Sequence, residues 1–366
     1  MIYLLAIPSI YFLIALFAAL RWRFRTDQQP RDAAYLPPVS ILKPVRGQDP
    51  GFYEAIRSHA LLDYPEYEIL FGVSDPEEST VALIERLIRE FPEKRIRLVL
   101  CSRKCPNGKA GVLIDLTEAA AHPILLVNDS DIRVEPDYLR RVIAPLADAS
   151  VGLVTCLYRA TSEFWPGRWE AVGIATDFAV SVLVARTVGM AHFALGSTMA
   201  FRRDDLARIG GFEEIGDYLA DDYQLGERIH ALGRRIYLAK PVVETHLSGE
   251  TWTSVWRHQV RWARTIRTCQ TAGYFGYVVT QAALWALIAI LLGEWKPALV
   301  LLAIRTLAGV AVGAGVLGDS RVARYFFLIP LRDLWGFAVW VAGLAGSTVE
   351  WRGERMRLSR DGRIVD

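Results

Sequence analysis

The sequence has little charge and few cysteines for its length. Of its 366 residues only 22% are charged, 52% are hydrophobic, and the formal net charge is +2. This balance offers no basic surface of the kind that binds nucleic acid, so we expect no nucleic-acid partner. The four cysteines match neither a disulfide framework nor a zinc-ligand spacing (Cys101, Cys105, Cys156 and Cys269). We expect free thiols in a reducing compartment.

Long apolar segments flank a more polar central part, beginning at the N-terminus. Residues 2–20 carry no charge and are followed at once by Arg21, Arg23 and Arg25. About 20 apolar residues suffice to cross a bilayer, and a basic cluster on the C-terminal side predicts an N-terminus outside the cytoplasm. We predict a transmembrane anchor over residues 1–22 and a proline-containing linker over 23–38.

Three further apolar segments lie in the C-terminal part, at residues 274–293, 297–318 and 325–349. The first two are apolar enough to cross as a hairpin, whereas Arg332 and Asp333 favour a re-entrant or interfacial third segment. Four spans in total would leave the Arg-rich tail 351–366 outside. Three spans with one re-entrant segment keep it inside, as basic segments prefer, and this arrangement is favoured.

Between the apolar flanks, residues 39–273 alternate between strand and helix patterns. Apolar runs predict strands at 39–42, 67–73, 96–100, 124–128 and 151–155. Helical periodicity predicts helices over 50–61, 78–90 and 109–121. This alternation predicts an α/β domain with a mostly parallel sheet and helices on both faces. Residues 164–193 fit either a core segment or an amphipathic element against the membrane.

Acidic side chains follow two of the predicted strands, where an open α/β sheet binds its ligand. Asp75 follows strand 67–73. It either accepts hydrogen bonds from a base or ribose or caps the next helix. Asp129 and Asp131 follow strand 124–128. They either hold Mg²⁺ or Mn²⁺ beside a diphosphate or form a turn, and the buried strand favours the metal site.

A third acidic cluster, the adjacent Asp221 and Asp222, begins an apparent helix over 223–232. Adjacent carboxylates at this position are stabilised by the helix dipole, which is a structural role. One of two neighbouring carboxylates also tends to have a raised pKa, which suits a general base that takes a proton from an acceptor hydroxyl.

A basic and aromatic segment, residues 258–267, precedes the C-terminal apolar part. Arg261, Arg264 and Arg267 share one helical face. Their guanidinium groups suit a diphosphate or, alternatively, anionic lipid headgroups. Trp262 suits stacking on a sugar.

Two lysines are weaker candidates for binding the same ligand. Lys43 follows the first strand, where a nucleotide base or phosphate is expected, and Lys109 opens the helix over 109–121. A solvated surface position is the alternative for each.

The ordered set of these segments resembles the ceramide glucosyltransferase family over residues 39–270. The segments are Ile-Leu-Lys-Pro-Val-Arg-Gly, Val-Ser-Asp-Pro, Asn-Asp-Ser-Asp-Ile, Leu-Ala-Asp-Asp-Tyr and Arg-Trp-Ala-Arg. The resemblance implies an inverting glycosyltransferase with a GT-A nucleotide-sugar fold. It implies uridine contacts at Asp75, metal–diphosphate binding at Asp129, completed by Asp131, and the catalytic base at Asp222.

The closing motif of that family is Gln or Arg, two residues, then Arg-Trp. Arg261 and Trp262 match it, but His258 stands at the first position. The family includes enzymes that act on ceramide, and a similar bacterial branch adds an N-acetylhexosamine to hopanoid lipids. The resemblance therefore implies a UDP-hexose or UDP-N-acetylhexosamine donor, a divalent cation and a membrane lipid acceptor.

The sequence thus predicts transfer of one hexose from a UDP-sugar to a lipid hydroxyl, with inversion. It places the protein in a membrane, a bacterial inner membrane by the resemblance, with the catalytic domain in the cytoplasm. N-acetylglucosamine transfer to a hopanoid is the alternative within the family. A processive polysaccharide synthase and a non-enzymatic scaffold are the alternatives outside it.

Overall fold

The computed structural model describes residues 2–25, 35–351 and 353–365. Most of the predicted linker, residues 26–34, lies outside the described residues. The strands are β1 Val39–Pro44, β2 Tyr67–Val73, β3 Arg95–Leu100, β4 Ile124–Val127, β5 Val151–Thr161, β6 Met199–Arg202, β7 Arg235–His246, β8 Thr348–Trp351 and β9 Glu354–Arg357.

The helices follow the same chain order. The α-helices are α1 Ile2–Phe24, α2 Phe52–Ala60, α3 Ser79–Glu90, α4 Gly108–Ala119, α5 Tyr138–Ile143, α6 Trp165–Gly173, α7 Ala179–Thr187, α8 Arg203–Arg208, α9 Asp221–Ala231, α10 Trp252–Cys269, α11 Thr271–Gly276, α12 Ala282–Leu291, α13 Trp295–Val310, α14 Ser320–Arg324 and α15 Ile329–Leu344. The 3₁₀ turns are Ala144–Ala147, Phe212–Ile215, Tyr277–Thr280 and Phe326–Leu328, and the π-helical turns are Ile174–Phe178 and Ala311–Val316.

The larger sheet of the described residues has the strand order β3-β2-β1-β4-β6-β5-β7. Strand β1 pairs in parallel with β2 and β4, β2 pairs in parallel with β3, and β6 is antiparallel to both β4 and β5. The predicted α/β fold with a mostly parallel sheet is confirmed. The predicted strands lie where expected, to within a few residues at most ends, but β6 and β7 were not predicted.

Each central strand buries both of its faces, which explains the continuous apolar runs in the sequence. Ile41 of β1 belongs to one buried cluster and its neighbour Leu42 belongs to another. The first cluster takes in residues of α2, α3 and α5, and the second takes in residues of α4 and α9. Helices therefore cover the sheet on both sides and leave the strand ends for function.

The chain divides into two compact units. One contains Thr26–Tyr158 and His192–Leu247, and it holds the sheet core. The other contains Met1–Arg25, Arg159–Ala191 and Ser248–Val365. We call them the sheet unit and the helical unit. The predicted catalytic domain over residues 39–273 therefore contributes to both, and its boundaries stay a prediction.

Among the described residues, the helical unit contains three helices that are long and apolar enough to cross a membrane: Leu5–Phe24, Trp295–Val316 and Phe326–Leu344. A fourth candidate, Thr271–Thr280 with Ala282–Leu291, is bent by 50° at its break. The sequence favoured a re-entrant third C-terminal segment, but the break falls in the first. Arg332 and Asp333 do not interrupt their helix, because both side chains are buried among protein groups rather than exposed.

The segment over residues 164–193 forms α6, a π-helical turn and α7. Its apolar side chains are mostly buried, with Phe164 and Trp165 exposed at its start. Helix α7 packs against α1 within the helical unit. Most of this segment therefore has a core role, one of the two left open by the sequence.

The arginines of α10 have unexpected partners. Arg264 Nε donates to the carbonyl of Ala345 at 3.1 Å, and Arg267 Nη2 donates to the carbonyl of Gly346 at 2.6 Å. These carbonyls follow the C-terminal end of α15, where free carbonyl groups carry partial negative charge. These two arginines therefore have a structural role, and their expected contacts with a diphosphate or with lipid headgroups stay a prediction.

Candidate active site

The predicted site residues of the sheet unit gather at the carboxyl edge of its parallel strands. Because β1, β2 and β4 run in parallel and in register, their carboxyl ends lie side by side. Strand β6 runs the other way, so that the loop preceding Met199 reaches the same edge. This is the edge at which open α/β sheets bind ligands.

Lys109 connects two of the acidic clusters. Asn107 caps α4 by accepting hydrogen bonds from the backbone of Lys109 and Ala110, at 3.0 and 3.3 Å. In the first turn, Lys109 Nζ lies 2.8 Å from Asp129 Oδ1 and 3.1 Å from Asp221 Oδ2. Burial lowers the pKa of Lys109, but the charges of Asp129 and Asp221 outweigh burial and raise it. Lys109 is therefore a permanently charged bridge, not a solvated surface lysine.

Asp129 and Asp131 follow β4 as the sequence predicts. The Asp129 side chain is 41% exposed, whereas Asp131 accepts a short hydrogen bond from Thr245 Oγ1. Burial and the charge of Asp129 raise the pKa of Asp131 to about 6. Two carboxylates that repel each other in this way suit a cation, whose positive charge removes the repulsion.

Asp222 is held by backbone groups on both carboxylate oxygens. Oδ2 accepts a hydrogen bond from Gly196 N at 2.9 Å, and Oδ1 accepts one from Tyr223 N at 2.7 Å. Burial and the charge of Asp221 raise the pKa of Asp222. The carboxylate is therefore fixed in position and more basic than an ordinary aspartate, as a general base requires.

Gly196 lies between two of the acidic clusters. A Cβ atom at this position would lie 3.3 Å from Asp129 Oδ2, 3.4 Å from Asp222 Oδ2 and 3.6 Å from Lys109 Nζ. The backbone thus passes directly beside both carboxylates. Any side chain at residue 196 would enter the space between them.

Lys43 is fully buried beneath the Asp129 loop. Its Nζ donates to the backbone carbonyl of Asp129 at 3.1 Å and lies 3.3 Å from His59 Nε2. Burial lowers the pKa of Lys43 to about 7, although Asp131 and Asp129 oppose this. A solvated position is excluded, and the ammonium supports the loop of the acidic pair.

Asp75 lies two residues beyond β2 and is exposed. Its Oδ1 accepts a hydrogen bond from Glu77 N at 2.9 Å, which is a local Asx turn. Helix α3 begins only at Ser79, after Glu78 in the N-cap position. The helix-capping alternative for Asp75 is therefore wrong, because the turn intervenes. Its nucleotide role stays a prediction.

Arg261 and Trp262 lie on α10 of the helical unit. The Trp262 ring centroid lies 5.9 Å from that of Phe178 and 4.8 Å from that of His258. The Arg261 carbonyl accepts from Thr265 Oγ1 at 2.9 Å. The predicted contacts of Arg261 and Trp262 with a donor stay predictions.

Sequence reasoning missed several residues at these positions. Gly196 and Thr245 belong to unpredicted parts of the fold, and His59 lies on a helix opposite Lys43. Glu170, which pairs with His258, is 88 residues away in the chain. No local signal in the sequence marks them. Only the pairing of distant elements brings them together.

The cation expected from the resemblance fits the residues present. Among the described residues, no group of three or more His, Cys, Asp or Glu side chains can hold a metal ion by itself. Mg²⁺ in nucleotide-dependent enzymes usually takes one or two carboxylates, and phosphate oxygens and waters complete its coordination. An exposed Asp129 beside Asp131 matches that type of site.

The chain is similar to known glycosyltransferases in sequence. It is 24% identical over 250 residues to Ceramide glucosyltransferase 1 of Caenorhabditis elegans, covering 68% of this chain and 52% of the relative. It is 24% identical over 234 residues to Beta-monoglucosyldiacylglycerol synthase of Synechocystis sp., covering 62% of this chain and 47% of the relative. The chain thus spans about half the length of these relatives.

A solved structure shares the fold. Mannosyltransferase PcManGT from Pyrobaculum calidifontis, determined with GDP-Man and Mn²⁺, has a TM-score of 0.58 and 21% sequence identity. The match covers 93% of this chain and 97% of that chain. The family profile named Glycosyl transferase family 21 matches residues 1–364. Since this match covers nearly the whole sequence, the chain belongs to glycosyl transferase family 21.

Proposed function

We propose that the protein transfers one hexose from a UDP-sugar to a hydroxyl group of a membrane lipid, with inversion at the anomeric carbon. One observation carries the proposal. At the carboxyl edge of the sheet, Lys109 forms ion pairs with both Asp129 and Asp221. The backbone of Gly196 lies between the carboxylates of Asp129 and Asp222. A cation-binding carboxylate and a basic carboxylate are thus neighbours, as a sugar-nucleotide displacement needs.

Asp129 and Asp131 would hold Mg²⁺ or Mn²⁺ against the donor diphosphate. When bound, such a cation neutralises the charge that develops on departing UDP. Lys109 is close enough to Asp129 to add positive charge at the same place. Lys43 keeps the Asp129 backbone in position from below.

Asp222 would act as the general base. It takes the proton of the lipid hydroxyl while the hydroxyl oxygen bonds to the anomeric carbon, and the bond between that carbon and the diphosphate oxygen breaks. The proton ends on Asp222, and the electron pair leaves with UDP. An α-linked donor therefore yields a β-glycoside.

Three further predicted residues have donor contacts in this proposal. Asp75 contacts the uridine, Arg261 contacts the diphosphate, and Trp262 stacks on the sugar. For these three residues the support is the family resemblance together with the family match.

The acceptor is proposed to be a lipid because, in the described part of the chain, three helices are long and apolar enough to cross a membrane. One relative is named for ceramide and another for glucosyldiacylglycerol. Ceramide is the first candidate acceptor, and a hopanoid that receives N-acetylglucosamine is the alternative. We place the protein in a bacterial inner membrane with its catalytic domain in the cytoplasm.

A donor–acceptor matrix tests the proposal. Purified protein in phospholipid vesicles receives UDP-glucose or UDP-N-acetylglucosamine with ceramide, a hopanoid polyol or diacylglycerol, with Mn²⁺ present. Mass spectrometry of the lipids should show one added sugar. UDP release without a glycolipid would contradict the lipid acceptor, and a polymer would identify a processive synthase. A scaffold would bind no UDP in the presence of Mn²⁺.

A further inference from the structure

His258 stands at the position where the resembling family has Gln or Arg, and the structure supplies its partner. His258 Nδ1 lies 2.7 Å from Oε1 of Glu170. Glu170 is 3% exposed, and no other side-chain partner of its carboxylate occurs among the described residues. A buried carboxylate on α6 is thus matched to one imidazole on α10, both within the helical unit.

This pairing determines which ring nitrogen of His258 carries a proton. An ionised carboxylate only accepts hydrogen bonds, so that Nδ1 must donate to Glu170. In a neutral imidazole, Nε2 is then unprotonated and can only accept. Nε2 has no hydrogen-bond partner in the described part of the chain, and the His258 side chain is 30% exposed.

The His258 ring also contacts the aromatic residue of the closing motif. Its centroid lies 4.8 Å from that of Trp262, with the rings inclined by 60°. Phe178 packs at Trp262 as well, with centroids 5.9 Å apart. Glu170, His258 and Trp262 therefore form one connected group, in which a buried carboxylate orients the imidazole beside the tryptophan.

We propose that Glu170 and His258 form a carboxylate–imidazole dyad that presents the His258 Nε2 lone pair to a substrate hydroxyl beside Trp262. The inference rests on the proposed function, because it assumes that substrate reaches the closing motif. The ligand chemistry is a hydroxyl group rather than a phosphate, since a phosphate oxygen cannot donate to Nε2. That hydroxyl belongs either to the donor sugar or to the lipid acceptor.

Substitutions at His258 test whether the side chain at this position accepts or donates a hydrogen bond. His258→Gln keeps an acceptor oxygen, whereas His258→Arg offers only donors, and both residue types occur at this motif position in the resembling family. We expect His258→Gln to stay within about threefold of the wild type in kcat/KM, and His258→Arg to lose about tenfold, the value of one hydrogen bond. Equal activity of the two variants would show that the His258 side chain does not act as a hydrogen-bond acceptor for substrate.

The substrate whose KM rises in the His258 variants is the one that carries the hydroxyl group. A raised KM for the lipid assigns it to the acceptor, and a raised KM for the UDP-sugar assigns it to the donor. Either result supports the dyad. A loss confined to folded protein yield, with both KM values and kcat unchanged, would reduce His258 to a structural contact.

A double-mutant cycle tests the dyad itself. Glu170→Ala, His258→Ala and the double variant should show strongly non-additive losses, because either change removes the same interaction. Additive losses would contradict the dyad. Gln259→Ala is the matched control on the same helix, because it removes the 2.7 Å hydrogen bond from Trp335 Nε1 to Gln259 Oε1 without touching the dyad. It should leave both KM values unchanged.

A spectroscopic readout separates this inference from the proposed function. In ¹⁵N-histidine-labelled protein, the His258 signal is assigned by its loss in His258→Gln. We expect a protonated Nδ1 and an unprotonated Nε2 at pH 8, and a change of this pattern in Glu170→Ala. An imidazolium, or the opposite tautomer, would overturn the dyad even in an active enzyme. If the wild type transfers no sugar, the proposed function fails while the tautomer still reports on the dyad.

Discussion

At the scale of single residues, the site depends on how backbone and buried charges hold a few carboxylates. Asp222 accepts two backbone hydrogen bonds, and Lys109 bridges Asp129 and Asp221. Hydrogen bonds favour the charged form of a carboxylate, whereas burial and a neighbouring carboxylate disfavour it. At Asp222 the second pair of effects prevails. The residue is therefore a stronger base than a solvated aspartate.

Asp222→Asn should abolish turnover while the protein still binds UDP. The amide cannot take a proton, and general-base catalysis contributes about 10² to 10⁴ in rate. Product formation by mass spectrometry and UDP binding by calorimetry measure the two properties. Asp204→Asn, at an exposed position, is the control and should be fully active. Retained turnover in Asp222→Asn would remove Asp222 as the base.

The pH dependence should show the raised pKa of Asp222. Activity needs the deprotonated form, so kcat should fall as the pH drops through a value above the ordinary Asp range of about 4. The profile between about pH 4.5 and 8 is measured at saturating donor. Because the pKa of Asp131 is also raised, to about 6, cation and UDP binding are measured at each pH as a control. A kcat that stays constant down to the lowest pH measured would contradict the assignment.

Gly196→Ala should reduce activity without preventing folding. The added methyl group would lie 3.3 Å from Asp129 Oδ2 and 3.4 Å from Asp222 Oδ2, so one carboxylate must shift. A misplacement of about 1 Å in a reactive geometry costs about a hundredfold, so we expect a shift of a few tenths of an ångström to lower kcat by about threefold to tenfold. Gly315→Ala, which meets no atom within 4 Å, is the control. Wild-type kcat in Gly196→Ala would show that the reacting groups lie elsewhere.

At the scale of secondary-structure elements, buried charges connect the helices of the helical unit. Arg305 of α13 donates to Asp333 of α15 at 3.0 and 2.8 Å, and to the carbonyl of Thr176 in the π-helical turn at 3.0 Å. Arg305 also pairs with Asp177. Charged groups between apolar helices are costly unless they are paired. The network explains why Asp333 is tolerated inside a long apolar helix.

Arg305→Leu should destabilise the protein by about 3 kcal/mol, because it leaves the Asp333 carboxylate buried without its partner. Thermal unfolding in detergent–lipid micelles measures the effect. Arg305→Leu combined with Asp333→Leu should recover part of the loss, since no orphan charge then remains at that pair. Arg324→Leu, at an exposed position, is the control. An unchanged midpoint in Arg305→Leu would show that the network contributes no net stability.

At the scale of the whole molecule, contacts within the helical unit bear on membrane topology. The chain enters the C-terminal apolar part from α10 and leaves it after α15. Arg264 and Arg267 of α10 bind carbonyls beyond α15, and a Cβ atom at Gly362 would lie 3.4 Å from Thr268 Oγ1. The tail therefore returns to the helix that precedes the apolar part, as an even number of crossings requires.

We predict that Trp295–Val316 and Phe326–Leu344 cross the membrane and that the bent pair over residues 271–291 is re-entrant. Single cysteines at Ser359 and at Ser320, in a cysteine-free background, test this with a membrane-impermeant thiol reagent on intact inverted vesicles. Ser359→Cys should react and Ser320→Cys should not, because one crossing separates them. Equal labelling of the two would contradict the prediction. Labelling of both after detergent treatment is the control.

The fold class, the positions of β1 to β4 and the acidic clusters could be predicted from the sequence alone. Strand periodicity, apolar length and strand-end carboxylates are local properties that a chain displays without folding. The sequence did not reveal β6, β7, Gly196, Glu170 or the bend within residues 271–291. Those features depend on contacts between residues far apart in the chain. Contacts in the folded chain were needed to show that Lys43 is buried, that Lys109 bridges two clusters and that His258 has a carboxylate partner.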